Sequence, residues 1–99
     1  MKLRFTPRAV QDIAGIADYI KAYNPAAATR IRDSILDALR SLTLFPRLGR
    51  PQSIIGVRKL VTRRHGFSVY YLLDDARQEI AILSIFHPSR DQKPDDISD

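Results

Sequence analysis

Residues 2–5, KLRF, alternate polar and apolar side chains, which is the period of a short strand. The period then lengthens. Val10, Ile13, Ala14, Ile16, Ala17 and Ile20 recur at helical spacing, with Arg8, Asp12, Asp18 and Lys21 mostly off that stripe. Thr6 can cap the start of this helix, and Pro7 suits its first position. Gly15 inside it costs about 1 kcal/mol against alanine and suggests a close approach by another segment. The pair Asn24-Pro25 stops the helix, because the residue before proline is driven out of the helical region. The same pair caps a second helix. The link is so short that the two helices must be antiparallel neighbours. The second runs through AAATRIRDSILDALRSLTLF, with Ala28, Ile31, Ile35, Ala38, Leu39 and Leu42 on its buried face. At roughly 20 residues it spans about 30 Å, and Phe45-Pro46 ends it.

PRLGRPQSIIG reads as a loop, with its prolines, glycines and arginines. Beyond it the period is that of strands: VRKLVTR (57–63), FSVYYLL (67–73) and EIAILSIF (79–86). His65-Gly66 and residues 74–78 are turns short enough to make these strands antiparallel. In the middle run Phe67, Val69, Tyr71 and Leu73 share one face. In the last, strict alternation puts Ile80, Ile82 and Phe86 on one face and Ala81, Leu83 and Ile85 on the other. Both faces of that strand are apolar, as in a central strand covered on both sides, and a partner is one source of the second cover. The fold class expected is α+β: a helical hairpin packed on a small antiparallel sheet, in the order β-α-α-β-β-β. Residues 1–91 form one domain, and residues 92–99 are expected to be a loose acidic tail.

Composition changes this picture in three ways. The chain has 99 residues and no cysteine, which excludes disulfides, thiolate metal sites and a cysteine nucleophile. No apolar run approaches the roughly 18 residues of a membrane span, and the N-terminus has no signal-peptide core, so a cytoplasmic protein is expected. The net charge is +5, but four of the 11 acids lie in the last nine residues. Residues 1–90 therefore carry 15 basic and seven acidic side chains, a net +8. Arg47, Arg50, Arg58, Lys59, Arg63 and Arg64 fall in one stretch without an acid. Such a patch attracts polyanions, nucleic acid or an acidic protein segment, or else simply keeps the surface solvated.

The order of elements is accompanied by specific local patterns. They are Asn24, Pro25, Ala27 and Ala28 at the second helix start; Pro46, Gly49 and Arg50 in the loop; Gly56, Arg58 and Leu60; Phe67, Val69 and Tyr71; and Ile82, Leu83, Ile85, His87 and Arg90. Together, over about residues 3 to 91, they resemble the ParE branch of the RelE/ParE toxin superfamily. Phe67 stands where that family frequently has tyrosine. The resemblance implies the toxin of a type II toxin–antitoxin module, a ParD-like antitoxin as partner and DNA gyrase as target. The related RelE branch implies instead a ribosome-dependent mRNA endonuclease. For that alternative the candidate residues are His87, Arg58, Arg90 and Tyr71, since RNA cleavage needs an acid, a base and cations on the phosphate in one place. His65 and Tyr70 also fall within reach of such a list. For target binding the candidates are Arg58, Arg63, Arg64 and Arg90. For the antitoxin they are Ile13, Ile16, Ile20, Ile31, Ile35 and Leu39 on the helical hairpin. An antitoxin segment is expected to lay a helix there and a strand on a sheet edge. Two distant histidines without a partner at i+4 give no metal cluster, and no cofactor is expected.

The residues also admit plainer readings. His87 precedes Pro88, is confined to extended backbone and falls in phase with Ile85 and Leu83, as a half-buried histidine at a strand end would. Tyr71 is in phase with core residues, and Arg63 and Arg64 can be solvated surface.

Overall fold

The computed structural model describes residues 1–88. The first strand, β1 (Lys2–Phe5), leads into α1 (Pro7–Tyr23), then α2 (Pro25–Leu44). Both helix starts are capped as their sequences dictate. Thr6 Oγ1 accepts from the Ala9 N–H at 3.1 Å, and Asn24 Oδ1 accepts from the Ala27 N–H at 3.1 Å. Three strands follow the loop as expected: β3 (Val57–Val61), β4 (Ser68–Asp74) and β5 (Glu79–Phe86). Inside the loop lies a further two-residue strand, β2 (Arg50–Pro51), which the prolines and glycines had concealed.

The five strands form one sheet in the order β1-β5-β4-β3-β2. It is mixed, not wholly antiparallel, because β1 pairs parallel to β5, with Leu3 opposite Ile80. A parallel neighbour needs a long crossover, and the α1–α2 hairpin with the strands after it supplies one.

Both helices pack on one face of the sheet. The core there is Ala9, Ile20, Ile35, Leu39 and Leu42 from the helices against Phe67, Val69, Tyr71, Ile80, Ile82 and Ile85. The buried stripe of α1 is therefore Ala9, Ile13, Ile16 and Ile20, the last three as expected, whereas Val10, Ala14 and Ala17 are exposed. Gly15 faces open space, so the close approach expected at that position does not occur.

The opposite face carries a second cluster, Val57, Tyr70 and Phe86, with Leu72 and Leu83 packed against it. The placement of Phe86 differs from strict alternation. Tyr70 lies opposite Ser84 but Tyr71 lies opposite Ile82, so β5 holds one extra residue at Leu83. A β-bulge of this kind reverses the phase of everything beyond it. Ile85 thereby joins Ile80 and Ile82 on the helix side, and Phe86 moves to the other face. The cap of α1 and its first turns occupy the freed backbone: the Thr6 hydroxyl shares its one proton between the carbonyls of Ile82 and Leu83, and the Ile85 N–H donates to Asp12 Oδ2 at 3.0 Å.

Candidate functional site

Three groups of side chains matter, and they lie at different places on the sheet. The first surrounds Tyr71, which is fully buried. Its hydroxyl donates to the Pro46 carbonyl at 2.8 Å and accepts from the Gly49 N–H at 2.8 Å. Arg58 lies directly opposite Tyr71 in the ladder. Its Nη1 donates to the carbonyls of Gly49 at 2.7 Å and Arg47 at 3.1 Å. Together these two residues fasten the loop before β2 to the sheet. Only glycine fits at position 49, because a Cβ there would stand 2.7 Å from the Tyr71 hydroxyl and 2.8 Å from the Lys59 carbonyl oxygen. Burial raises the Tyr71 pKa above its usual value of 10.0, against smaller lowering effects from the Gly49 N–H and from Arg58. A phenol that is neutral, buried and already hydrogen-bonded in both directions is a tether. It is poorly placed to act as a base.

The second group is the β3–β4 turn. His65 and Gly66 both have φ near +65°, at 68° and 65°, which lets the chain reverse tightly. Thr62 is buried and holds the turn from inside. Its Oγ1 accepts from the Phe67 N–H at 3.0 Å and donates to the Arg64 carbonyl at 2.6 Å. Ser34 of α2 donates to the same carbonyl at 3.2 Å. Arg63 and Arg64 thus project, exposed, from a backbone fixed at both ends.

The third group lies at the end of β5. His87 is half-buried and edge-on to Phe67, with ring centroids 5.4 Å apart, and to Tyr19 at 6.3 Å. Tyr19 in turn meets Tyr23 at 5.0 Å. Both tyrosines are more than half exposed. Phe67 follows the basic turn directly, and Pro88 packs beside Gly66, so the turn and the end of β5 lie at the same end of the sheet.

The nuclease candidates are therefore split. Arg58 and Tyr71 are together, but Tyr71 is level with Ile82, and His87 lies five residues further along β5, roughly 16 Å at the rise of a strand. Arg90 lies outside the described residues, as does the expected tail at 92–99. The antitoxin candidates lie against the helix-side core. Ile20, Ile35 and Leu39 are buried in the chain's own core, and Ile13, Ile16 and Ile31 are half-buried against it. The apolar stripes that marked these residues are satisfied by the sheet and present little surface. Among the described residues no cluster of His, Cys, Asp or Glu could hold a metal ion, and no helix is long and apolar enough to cross a membrane.

A groove between α2 and β3 was missed by sequence reasoning. Arg30 and Ala38 line one wall, Leu60 and Val61 the other, with Leu48 at its side and Arg63 and Arg64 at the turn. Its only sequence signal was an apolar Val61 at the end of a strand whose other side was not yet known.

A model of the ParE toxin of type II toxin–antitoxin systems, parDE, matches residues 3–92. The chain is 30% identical over 86 residues to "Putative toxin Y4kP" of Sinorhizobium fredii, covering 87% of this chain and 86% of that protein. A solved structure of the chromosomal ParDE toxin–antitoxin system from P. aeruginosa superimposes with a TM-score of 0.74 at 29% identity, covering 88% of this chain and 95% of that one. The intact E. coli RelBE toxin–antitoxin complex matches at a TM-score of 0.58 and 14% identity, over 87% of this chain and 94% of that one, which is a likeness of fold alone. By the match over residues 3–92 and the likeness of fold, the chain belongs to the ParE toxin family of type II toxin–antitoxin systems, within the RelE/ParE superfamily.

Proposed function

We propose that this toxin acts by binding and inhibiting DNA gyrase, without chemistry of its own, and that a ParD-like antitoxin neutralises it. The observation that carries the reading is the family match across residues 3–92. The ParDE system supplies a 29% identical relative of the same fold. The disposition of the candidate residues supports a contact function as well. Tyr71 and Arg58 are spent on fastening a loop, while Arg63 and Arg64 are held outward on a braced turn. A braced turn favours recognition, since little loop entropy is lost on contact. A basic turn also steers the protein toward anionic surfaces.

The test is induction of the chain in cells without its neighbouring gene. The reading predicts growth arrest with a DNA damage response while translation continues. Translation arrest with new 5′ ends in translated mRNA would replace it by the RelE-type endonuclease, and normal growth would remove the toxin reading altogether. A complex with the antitoxin should melt above the free chain, because a ligand that binds only the folded state stabilises it. Equal melting temperatures would argue against a tight complex.

A further inference from the structure

One end of the molecule gathers aromatic side chains beside its basic turn. Tyr19 and Tyr23 stand four residues apart on α1 and so share one helix face. Their rings are 5.0 Å apart and tilted by 50°. Tyr19 is 55% and Tyr23 76% exposed, whereas Tyr70 and Tyr71 are buried in the sheet. The two α1 rings therefore contribute little to the chain's own core. His87, at the end of β5, meets Tyr19 edge-on at 6.3 Å and Phe67 at 5.4 Å. Phe67 is buried and leaves directly from the turn that carries Arg63 and Arg64. A continuous row thus runs from the basic turn through Phe67 and His87 to Tyr19 and Tyr23 at the end of α1.

The charge at this end is positive on balance. Arg63, Arg64 and Lys21 are exposed, and Arg30 of α2 stands close to the same turn, against Asp18 and Asp33. Thr62 and Ser34 brace the turn, so both guanidinium groups start from a fixed backbone. Exposed rings beside a cluster of cations match one class of polyanion. A single strand of nucleic acid offers π-faces from its bases and negative charge from its phosphates. An acidic peptide would use the cations and leave the rings idle.

We propose that this end of the molecule binds single-stranded nucleic acid. Unstacked bases lie against Tyr19 and Tyr23, and backbone phosphates meet Arg63 and Arg64. His87 is a positioning residue, which supports Tyr19 through its own contact with the buried Phe67. Such a site tolerates many sequences, because every base has a π-face. It asks for no chemistry from the Tyr71–Arg58 tether. The proposal goes beyond the gyrase reading and does not rest on it.

The probe is a fluorescent octanucleotide of mixed sequence, made as DNA and as RNA. Its anisotropy with the purified full chain is read against that of an abasic strand of the same length. At least one octanucleotide should bind about ten-fold more tightly than the abasic strand, and the tighter of the two names the sugar. Tyr19→Leu with Tyr23→Leu should weaken binding about ten-fold, while phenylalanine at both positions should keep the parent affinity. Arg63→Gln with Arg64→Gln should instead flatten the dependence of log affinity on log salt by about 1.4, at roughly 0.7 for each phosphate contact. The leucine pair should leave that slope unchanged. If the leucine pair loses the circular dichroism spectrum of the parent, Tyr23→Leu alone, at a side chain 76% exposed, must weaken binding at least about three-fold. Equal binding of the abasic strand, undiminished binding by the folded leucine variant or a salt slope unmoved by the glutamine pair overturns the proposal. A polyglutamate peptide that displaces the octanucleotide with equal affinity would show a site for charge alone and overturn it too. Gyrase inhibition by a chain that binds no strand would leave the proposed function standing and sink this site alone. Strand binding without gyrase inhibition would do the reverse.

Discussion

Tyr71 shows how one side chain can be both legible and illegible. Its place in the core follows from alternation with Phe67, Val69 and Leu73, and the structure buries it completely. The use of its hydroxyl does not follow, because its partners Gly49 and Pro46 lie 22 and 25 residues away in sequence. Tyr71→Phe leaves the Gly49 N–H and the Pro46 carbonyl without their partner and should lower unfolding stability by about 1–3 kcal/mol in a denaturant titration. The same variant should change the alkaline limb of the stability profile. The raised pKa in the folded state means that folding favours the neutral phenol. This contribution is complete below the ordinary value near 10.0 and is lost as pH rises through the higher folded value. The parent should therefore lose stability faster than Tyr71→Phe as pH rises from about 10.0 toward the higher folded value. Parallel profiles would show that Tyr71 does not titrate as described. Gly49→Ala tests the same tether from the other side. Its Cβ would meet an oxygen of Tyr71 and the Lys59 backbone at under 3 Å. The loop must shift, and a melting curve should show a loss of about 1–3 kcal/mol.

At the scale of elements, what was readable was local. Thr6-Pro7 and Asn24-Pro25 fix the helix starts because a cap and the residues it serves are three positions apart. The three later strands were readable from period and turn residues. The bulge at Leu83 was not. It depends on Thr6 and Asp12, more than 70 residues earlier in the chain, holding its backbone, and it reassigns Ile85 and Phe86 between faces. β2 escaped notice because two residues cannot show a period and one of them is proline. The hairpin residues offered as antitoxin contacts illustrate the converse. A clean apolar stripe reports burial without saying what covers it, and here the chain's own sheet covers most of it. Asp12→Ala tests the bulge. It strips the Ile85 N–H of its acceptor and Arg8, 3.9 Å away, of its counter-charge. Removal of a part-buried acceptor of this kind should cost about 1–3 kcal/mol of stability, and the Ile85 amide should exchange faster relative to the rest of β5. Unchanged protection at Ile85 would mean that the bulge stands without α1.

For the whole molecule, the decisive feature is the separation of a structural cation from displayed ones. Arg58, Arg63 and Arg64 belong to one basic run in sequence, yet the fold turns Arg58 onto loop carbonyls and leaves Arg63 and Arg64 on the surface. Charge alone could not divide them, since the division depends on strand register and on where the loop returns. Arg63→Glu together with Arg64→Glu should abolish growth arrest on induction, with a stability change within about 0.5 kcal/mol as expected for exposed positions. Full toxicity of that variant would move the target contact away from the turn. The most direct test of the proposed action uses purified toxin and purified gyrase in a supercoiling assay, with linear DNA scored after denaturation. The account predicts loss of supercoiling or accumulation of trapped gyrase–DNA cleavage complexes as toxin is raised. Undiminished supercoiling without trapped complexes at saturating toxin would contradict it.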